Sequence, residues 1–287
     1  MSLESDSPLA SPEWVARNLD RFRADDREYR LLEVSIRDGA YESEHIPGAV
    51  GLDWQQDLRD TETFDVLSPS DLGDLLGRHG ITRETTLVLY GDFFNWFAAH
   101  AYWLLRYYRH ENLMLLDGGR KYWTENGYPT TTETPTFPQS RYETPAPDDS
   151  IRVRREAVER ATDSGACLLD VRAPPEYRGE ILAPPGWNEG VQRGGHIPGA
   201  VNTPCRRAMR TDRRFKSRSE LEAIFGEFAD AEQIVVYCRV GERSALVYFV
   251  LSELLGYDNV SYYYGSFVEW GNSVGLPVER ATDADLR

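Results

Sequence analysis

Ile234-Val235-Val236-Tyr237-Cys238-Arg239-Val240-Gly241-Glu242-Arg243-Ser244 joins two kinds of structure in eleven residues. Its first four residues, apolar and rich in β-branching, predict a buried strand. Beyond Ser244, the residues Leu246, Phe249, Val250 and Leu254 recur at helical spacing. The loop between opens on a cysteine and closes on an arginine. A loop that feeds a helix carries backbone N–H groups the helix cannot satisfy, at the positive end of its dipole, and so suits an anion. Cys238 is therefore the candidate nucleophile, expected as a thiolate of depressed pKa. Arg239, Val240, Gly241, Glu242, Arg243 and Ser244 are the candidate substrate-binding loop, the arginines supplying fixed charge and Gly241 the freedom to curl. The plain alternative is a cysteine packed in a strand–helix turn. Two arginines and a glycine within the same six residues favour the reactive reading.

The stretch has a partner in the first half of the chain. Thr86-Leu87-Val88-Leu89-Tyr90-Gly91-Asp92 repeats the strand and its turn, with Gly91 in the place of Cys238. His45-Ile46-Pro47-Gly48-Ala49-Val50 returns as His196-Ile197-Pro198-Gly199-Ala200-Val201, and Gly118…Trp123…Pro129 as Gly265…Trp270…Pro277. Landmarks in one order at an offset of roughly 150 residues mark a duplicated domain. Strands alternate with candidate helices at Pro12–Asp20, Ser68–His79, Asn95–Tyr108 and Ser217–Phe228, so the fold class is α/β, two tandem domains, each a parallel sheet flanked by helices. We divide the chain into an inactive domain at 1–137, an extended Pro- and Thr-rich linker at 138–150 and a catalytic domain at 151–287. The stretch Pro129–Phe137 is expected against the first domain.

Because Gly91 offers no thiol, the first copy is expected to be silent; some of Phe93, Phe94, Trp96 and Phe97 read as core and the rest as an apolar wall. Asp170 and Arg172, ending the first strand of the second copy, are supporting candidates for the active loop; a surface salt bridge is the competing reading. His45 and His196 read as turn-stabilising. Cys167 reads as packing and Cys205 as partly exposed. Arg206, Arg207, Arg210, Arg213 and Arg214 read as a solvated face, with a contribution to anion steering as the alternative.

A net charge of −15 over 287 residues excludes a basic nucleic-acid binder. The positive charge is almost all arginine, Lys121 and Lys216 being the only lysines. That composition fits either solubility in concentrated salt or an arginine-rich genome. No apolar run approaches the roughly 18 residues of a membrane span, and no secretory leader is visible at Met1. Three cysteines without metal-ligand spacing predict no metal, no disulfide scaffold and a cytoplasmic setting. No cofactor is called for.

The repeated His-Ile-Pro-Gly-Ala, the strand end Asp170-Val171-Arg172, the Cys238 loop and the Gly…Trp…Gly-x-Pro closing each copy together resemble the tandem-domain rhodanese family, in its thiosulfate sulfurtransferase-like branch. The resemblance implies transfer of sulfane sulfur from a small anionic donor, thiosulfate, to cyanide or a thiol, through a persulfide on Cys238. It also implies a silent first domain. The chain departs from the animal thiosulfate enzymes at Val240, where they carry lysine, at Glu176, where they carry arginine, and at Ile36, where they carry tryptophan; Arg243 stands where they usually have threonine. A donor of the 3-mercaptopyruvate type fits less well, since that branch opens its loop with Cys-Gly. A non-catalytic binding module has no need of the cysteine with both arginines. Related phosphatases use a C-x5-R loop, one residue longer than Cys238–Arg243.

Overall fold

Short runs such as Leu31-Leu32 and Ile234-Val235-Val236 are apolar on both sides, and strands of this kind are stable only when helices cover both faces of a sheet. The structure, a computed structural model, describes residues 7–25, 27–164, 166–187 and 190–280. It resolves two compact units, one reaching Asp148 and including Arg210–Phe215, the other taking Asp149–Met209 and the chain from Lys216. In the first, β1 (Leu9–Ala10), β2 (Tyr29–Ser35), β3 (Ala49–Asp53), β4 (Thr86–Gly91) and β5 (Leu113–Leu116) form one sheet in the order β1-β5-β4-β2-β3. In the second, β6 (Arg152–Val153), β7 (Cys167–Asp170), β8 (Val201–Asn202), β9 (Ile234–Tyr237) and β10 (Val260–Tyr263) are ordered β6-β10-β9-β7-β8. Every pairing in both sheets is parallel, and the two orders are the same topology. The duplication read in sequence is thus a duplication of fold.

The helices follow their caps. Ser68 accepts from Asp71 N–H, with Pro69 in the first turn of Pro69–Arg78, and Ser217 forms a capping box with Glu220 ahead of Arg218–Phe225. The helix expected at Pro12–Asp20 is instead two, Pro12–Arg17 and Leu19–Arg23, broken at Asn18. The Asn18 amide donates to Trp14 C=O at 2.7 Å, the local competition that makes asparagine a poor helix interior residue.

The Pro- and Thr-rich stretch lies along the first unit. Trp123 Nε1 donates to Pro129 C=O at 2.8 Å, the Arg30 guanidinium covers the Phe137 ring at 3.8 Å, and Ser140 N–H donates to Gly77 C=O at 2.9 Å. Tyr142 is buried and its hydroxyl bonds His110 Nδ1 at 2.9 Å. Gly77 permits the close approach, since a Cβ there would stand 2.6 Å from Ser140 O. The Arg210–Phe215 segment also belongs to the first unit: Phe215 N–H donates to Asp117 at 2.8 Å, and Arg213 lies over Phe94 at 4.0 Å. Part of the arginine cluster therefore covers aromatic rings, where the sequence suggested chiefly a solvated face.

Candidate active site

In a doubly covered parallel sheet, ligands bind beyond the carboxyl ends of strands whose connections diverge to opposite sides. β7 leads to β8 on one side and β9 leads to β10 on the other, so the loops after β7 and β9 meet at that point. Cys238 directly follows β9, the central strand, and the helix Glu242–Phe249 starts four residues later.

The loop folds around the cysteine sulfur. Gly241 N–H donates to Cys238 Sγ at 3.1 Å, and Sγ lies 3.6 Å from Glu242 Oε2, to which the thiol donates. Ser266 Oγ accepts the Cys238 N–H at 3.3 Å, and Ser244 Oγ donates to Gly241 C=O at 2.7 Å. Gly241 has φ 114°, and a Cβ there would stand 2.2 Å from Tyr262 Oη. Only glycine fits both conditions.

The electrostatics differ from the sequence expectation. Cys238 is fully buried, and desolvation pushes its thiol pKa up; the Glu242 carboxylate adds to that, against Arg243 and the Ser244 hydrogen bonds. A resting thiolate was expected from the loop's free N–H groups, the helix dipole and two arginines, whereas the cysteine and both arginines are buried, Arg243 at 4 % exposure and Arg239 at 1 %. Arg243 is held by both oxygens of Glu176, at 2.6 and 3.0 Å, and its Nε lies 3.4 Å from Glu242. Burial pushes the Glu176 carboxyl up, but the Arg243 hydrogen bonds and charge, with Arg172, outweigh it and bring the pKa below the usual value. Arg239 lies 5.6 Å from the Trp187 ring, and Val240 is half-buried.

Asp170 and Arg172 are both buried, so the surface-pair reading does not hold. Arg172 Nη2 reaches Asp170 at 2.5 Å and donates to Gly195 C=O at 2.7 Å, fixing the turn ahead of His196. His196 Nδ1 bonds Tyr177 C=O at 3.0 Å with its ring stacked on Tyr177 at 3.7 Å; His45 does the same with Tyr41, at 2.7 and 3.9 Å. The histidines hold turns in both units. Cys205 is buried, its thiol pushed up to about 12 by desolvation, and burial takes Cys167 to about 11.

In the first unit Gly91 leaves no room for a side chain, since a Cβ would meet Val34 O at 2.4 Å. Asn95 fills the loop, accepting Gly91 N–H at 2.9 Å and donating to Leu116 C=O at 2.7 Å. The buried cation is re-sourced as well: Arg120, at the position matching Phe267, pairs with Glu33, which matches Asp170. In the second unit Arg172 packs on Phe267 at 4.0 Å instead. Sequence reasoning missed Arg120, Ser266, Tyr262 and the partnership of Glu176. Only the alignment of Trp123 with Trp270 offered a signal, by placing Arg120 opposite Phe267.

The Rhodanese-like domain family matches this chain twice, over residues 11–126 and 154–273. A Haloferax volcanii protein provisionally named a thiosulfate sulfurtransferase is 51 % identical over 274 residues, covering 95 % of this chain and 96 % of that one. A Thermus thermophilus protein named sulfur carrier protein TtuD is 43 % identical over 282 residues, covering 96 % and 97 %. Among solved structures, the anaerobic ergothioneine biosynthesis enzyme of Chlorobium limicola, with trimethyl histidine bound, superposes with a TM-score of 0.84 at 27 % identity, covering 98 % of this chain and 72 % of that one. A cysteine-persulfide state of the enzyme EanB superposes with a TM-score of 0.85, also at 27 % identity and with the same coverage.

Proposed function

This chain belongs to the rhodanese family of sulfurtransferases, with two rhodanese-like domains in tandem, and on that premise we propose that it carries sulfane sulfur from thiosulfate to a thiophilic acceptor, cyanide or a thiol, through a persulfide on Cys238. One observation carries the reading. Of the two matching loops, only the second keeps a cysteine, and its sulfur sits at the end of the central strand accepting the Gly241 N–H at 3.1 Å. That donor, at the start of a helix, favours negative charge on sulfur as it develops in transfer. Arg239, Val240, Gly241, Glu242, Arg243 and Ser244 form the binding loop in this reading, with Asp170 and Arg172 holding the adjoining turn. The first domain, 1–137, supplies no nucleophile; 138–150 is the linker and 151–287 the catalytic domain. The three cysteines are all unpaired, which suits a reducing cytoplasm. No described helix is long and apolar enough to cross a membrane.

The test is thiosulfate treatment followed by peptide mass spectrometry, alongside thiocyanate formation with cyanide. One added sulfur should map to the Cys238 peptide, and Cys238→Ser should abolish both signals. Sulfur on Cys205, or thiocyanate formation that survives Cys238→Ser, defeats the assignment. The name of the Thermus relative makes a protein thiol the acceptor to try beside cyanide.

A further inference from the structure

Cys238 is fully buried, and a thiol that attacks a sulfur donor from such a site needs a neighbour to take its proton. The thiol donates to Glu242 Oε2 at 3.6 Å, and Glu242 is itself 1 % exposed. Its other oxygen lies 3.4 Å from Arg243 Nε, and Arg243 is locked by the two hydrogen bonds to Glu176. A buried anion is expensive to create in isolation. Passing the proton from sulfur to Glu242 creates none, because the pair carries one negative charge whichever partner holds the proton. The other titratable groups facing the pair are poor acceptors. Glu176, from the turn Pro174–Tyr177, is committed to Arg243. Cys205, from the turn Cys205–Ala208, and Tyr262, from β10, keep their own protons, desolvation raising both.

We propose that Glu242 is the base that takes the Cys238 proton during sulfur transfer and keeps it through the persulfide stage, with Arg243 and Glu176 as positioning residues; this rests on the sulfurtransferase reading of the site. In the first half-reaction the proton moves from Sγ to Glu242 Oε2. The thiolate attacks the outer sulfur of thiosulfate, the new S–S bond forms, and the old S–S bond breaks with its electron pair leaving on sulfite. The product is a Cys238 persulfide anion beside a protonated Glu242, whose hydrogen is available to the terminal sulfur. In the second half-reaction an acceptor anion attacks that terminal sulfur. The Cys238–sulfur bond breaks, its pair returns to Sγ as thiolate, and Glu242 gives the proton back. No external oxidant, reductant or base enters.

The test is single-turnover sulfite release from thiosulfate by the full chain over about pH 5.5–9. Wild type should show a limb independent of pH through neutrality, because the proton stays within the pair. Glu242→Gln should be roughly a hundredfold slower at neutral pH and gain about tenfold per pH unit, its thiolate now drawn from solvent. Glu242→Asp should restore the flat limb at a lower rate. The sign separates this from a purely electrostatic role: Glu242 raises the thiol pKa, so a repelling charge alone predicts a faster Glu242→Gln. Parallel profiles, or a faster variant, overturn the proposal while leaving sulfur transfer standing. Wild type that forms no Cys238 persulfide from thiosulfate or 3-mercaptopyruvate overturns the underlying reading, and this proposal with it. If Glu242→Gln does not fold, the wild-type profile decides alone, and a log-linear rise with no flat limb refutes it.

Discussion

Replacing Gly241 with alanine places a methyl group where the structure leaves none. The backbone there has φ 114° and ψ −35°, a region that costs an L-residue about 1–3 kcal/mol. The added Cβ would stand 2.2 Å from Tyr262 Oη and 3.3 Å from Tyr262 Cζ. Tyr262 is fully buried on β10, which pairs with β9 and β6, so its backbone has nowhere to retreat. Forced repacking of that kind costs about a further 1–3 kcal/mol. The sum, about 2–6 kcal/mol, is a large share of the 5–15 kcal/mol typical of a domain. Tyr262→Phe removes Oη and leaves the ring carbon at 3.3 Å, a tight contact that a shift of a few tenths of an ångström relieves, at a cost of about 1 kcal/mol for the lost hydroxyl interactions. In a double-mutant cycle the two changes should therefore couple favourably by about 1–3 kcal/mol, returning the steric part and not the backbone part. Urea unfolding of the four full-length proteins measures this, with single-turnover persulfide yield on each. Persulfide formation should fall in Gly241→Ala even where the protein is folded, because the displaced amide is the one donating to Cys238 Sγ. Additive single effects with no coupling, or Gly241→Ala as stable as wild type, would refute the argument.

Two further outcomes are expected. Arg239→Gly should lower kcat/KM for thiosulfate on the order of ten- to a hundredfold, the loss of one charge-assisted contact to a doubly charged donor, and lower it much less for 3-mercaptopyruvate; equal losses with both donors would remove the charge argument. Glu176→Gln should lower stability by about 2–3 kcal/mol at neutral pH, below the 3–5 kcal/mol of a fully orphaned buried charge because Arg243 keeps Glu242. Since the folded Glu176 pKa lies below its ordinary 4.5, the wild-type contribution is present above that value and is lost as pH falls through the folded pKa. Urea midpoints should therefore converge between wild type and variant on acidification, and midpoints that diverge in acid would show the sign to be wrong.

Local pattern was enough to establish the duplication, the parallel sheets and the place of the Cys238 loop. Apolar runs, capping serines and a repeated His-Ile-Pro-Gly-Ala-Val act over a few residues, and their order along the chain carries the topology. The same reasoning separated Gly91 from Cys238. It failed where the deciding quantity was distance between groups remote in sequence, or loss of water around them. Glu176 and Arg243 are 67 positions apart, and nothing local shows that one neutralises the other. Arg120 taking the cationic place beside Glu33, which Arg172 takes beside Asp170, is visible only once a helix is laid over a strand end. The state of the Cys238 thiol turned on burial. Sequence pattern counts the charges in the loop, but only the packed structure decides how much solvent remains to stabilise a thiolate, and here burial, with the Glu242 carboxylate, pushes the Cys238 thiol pKa up.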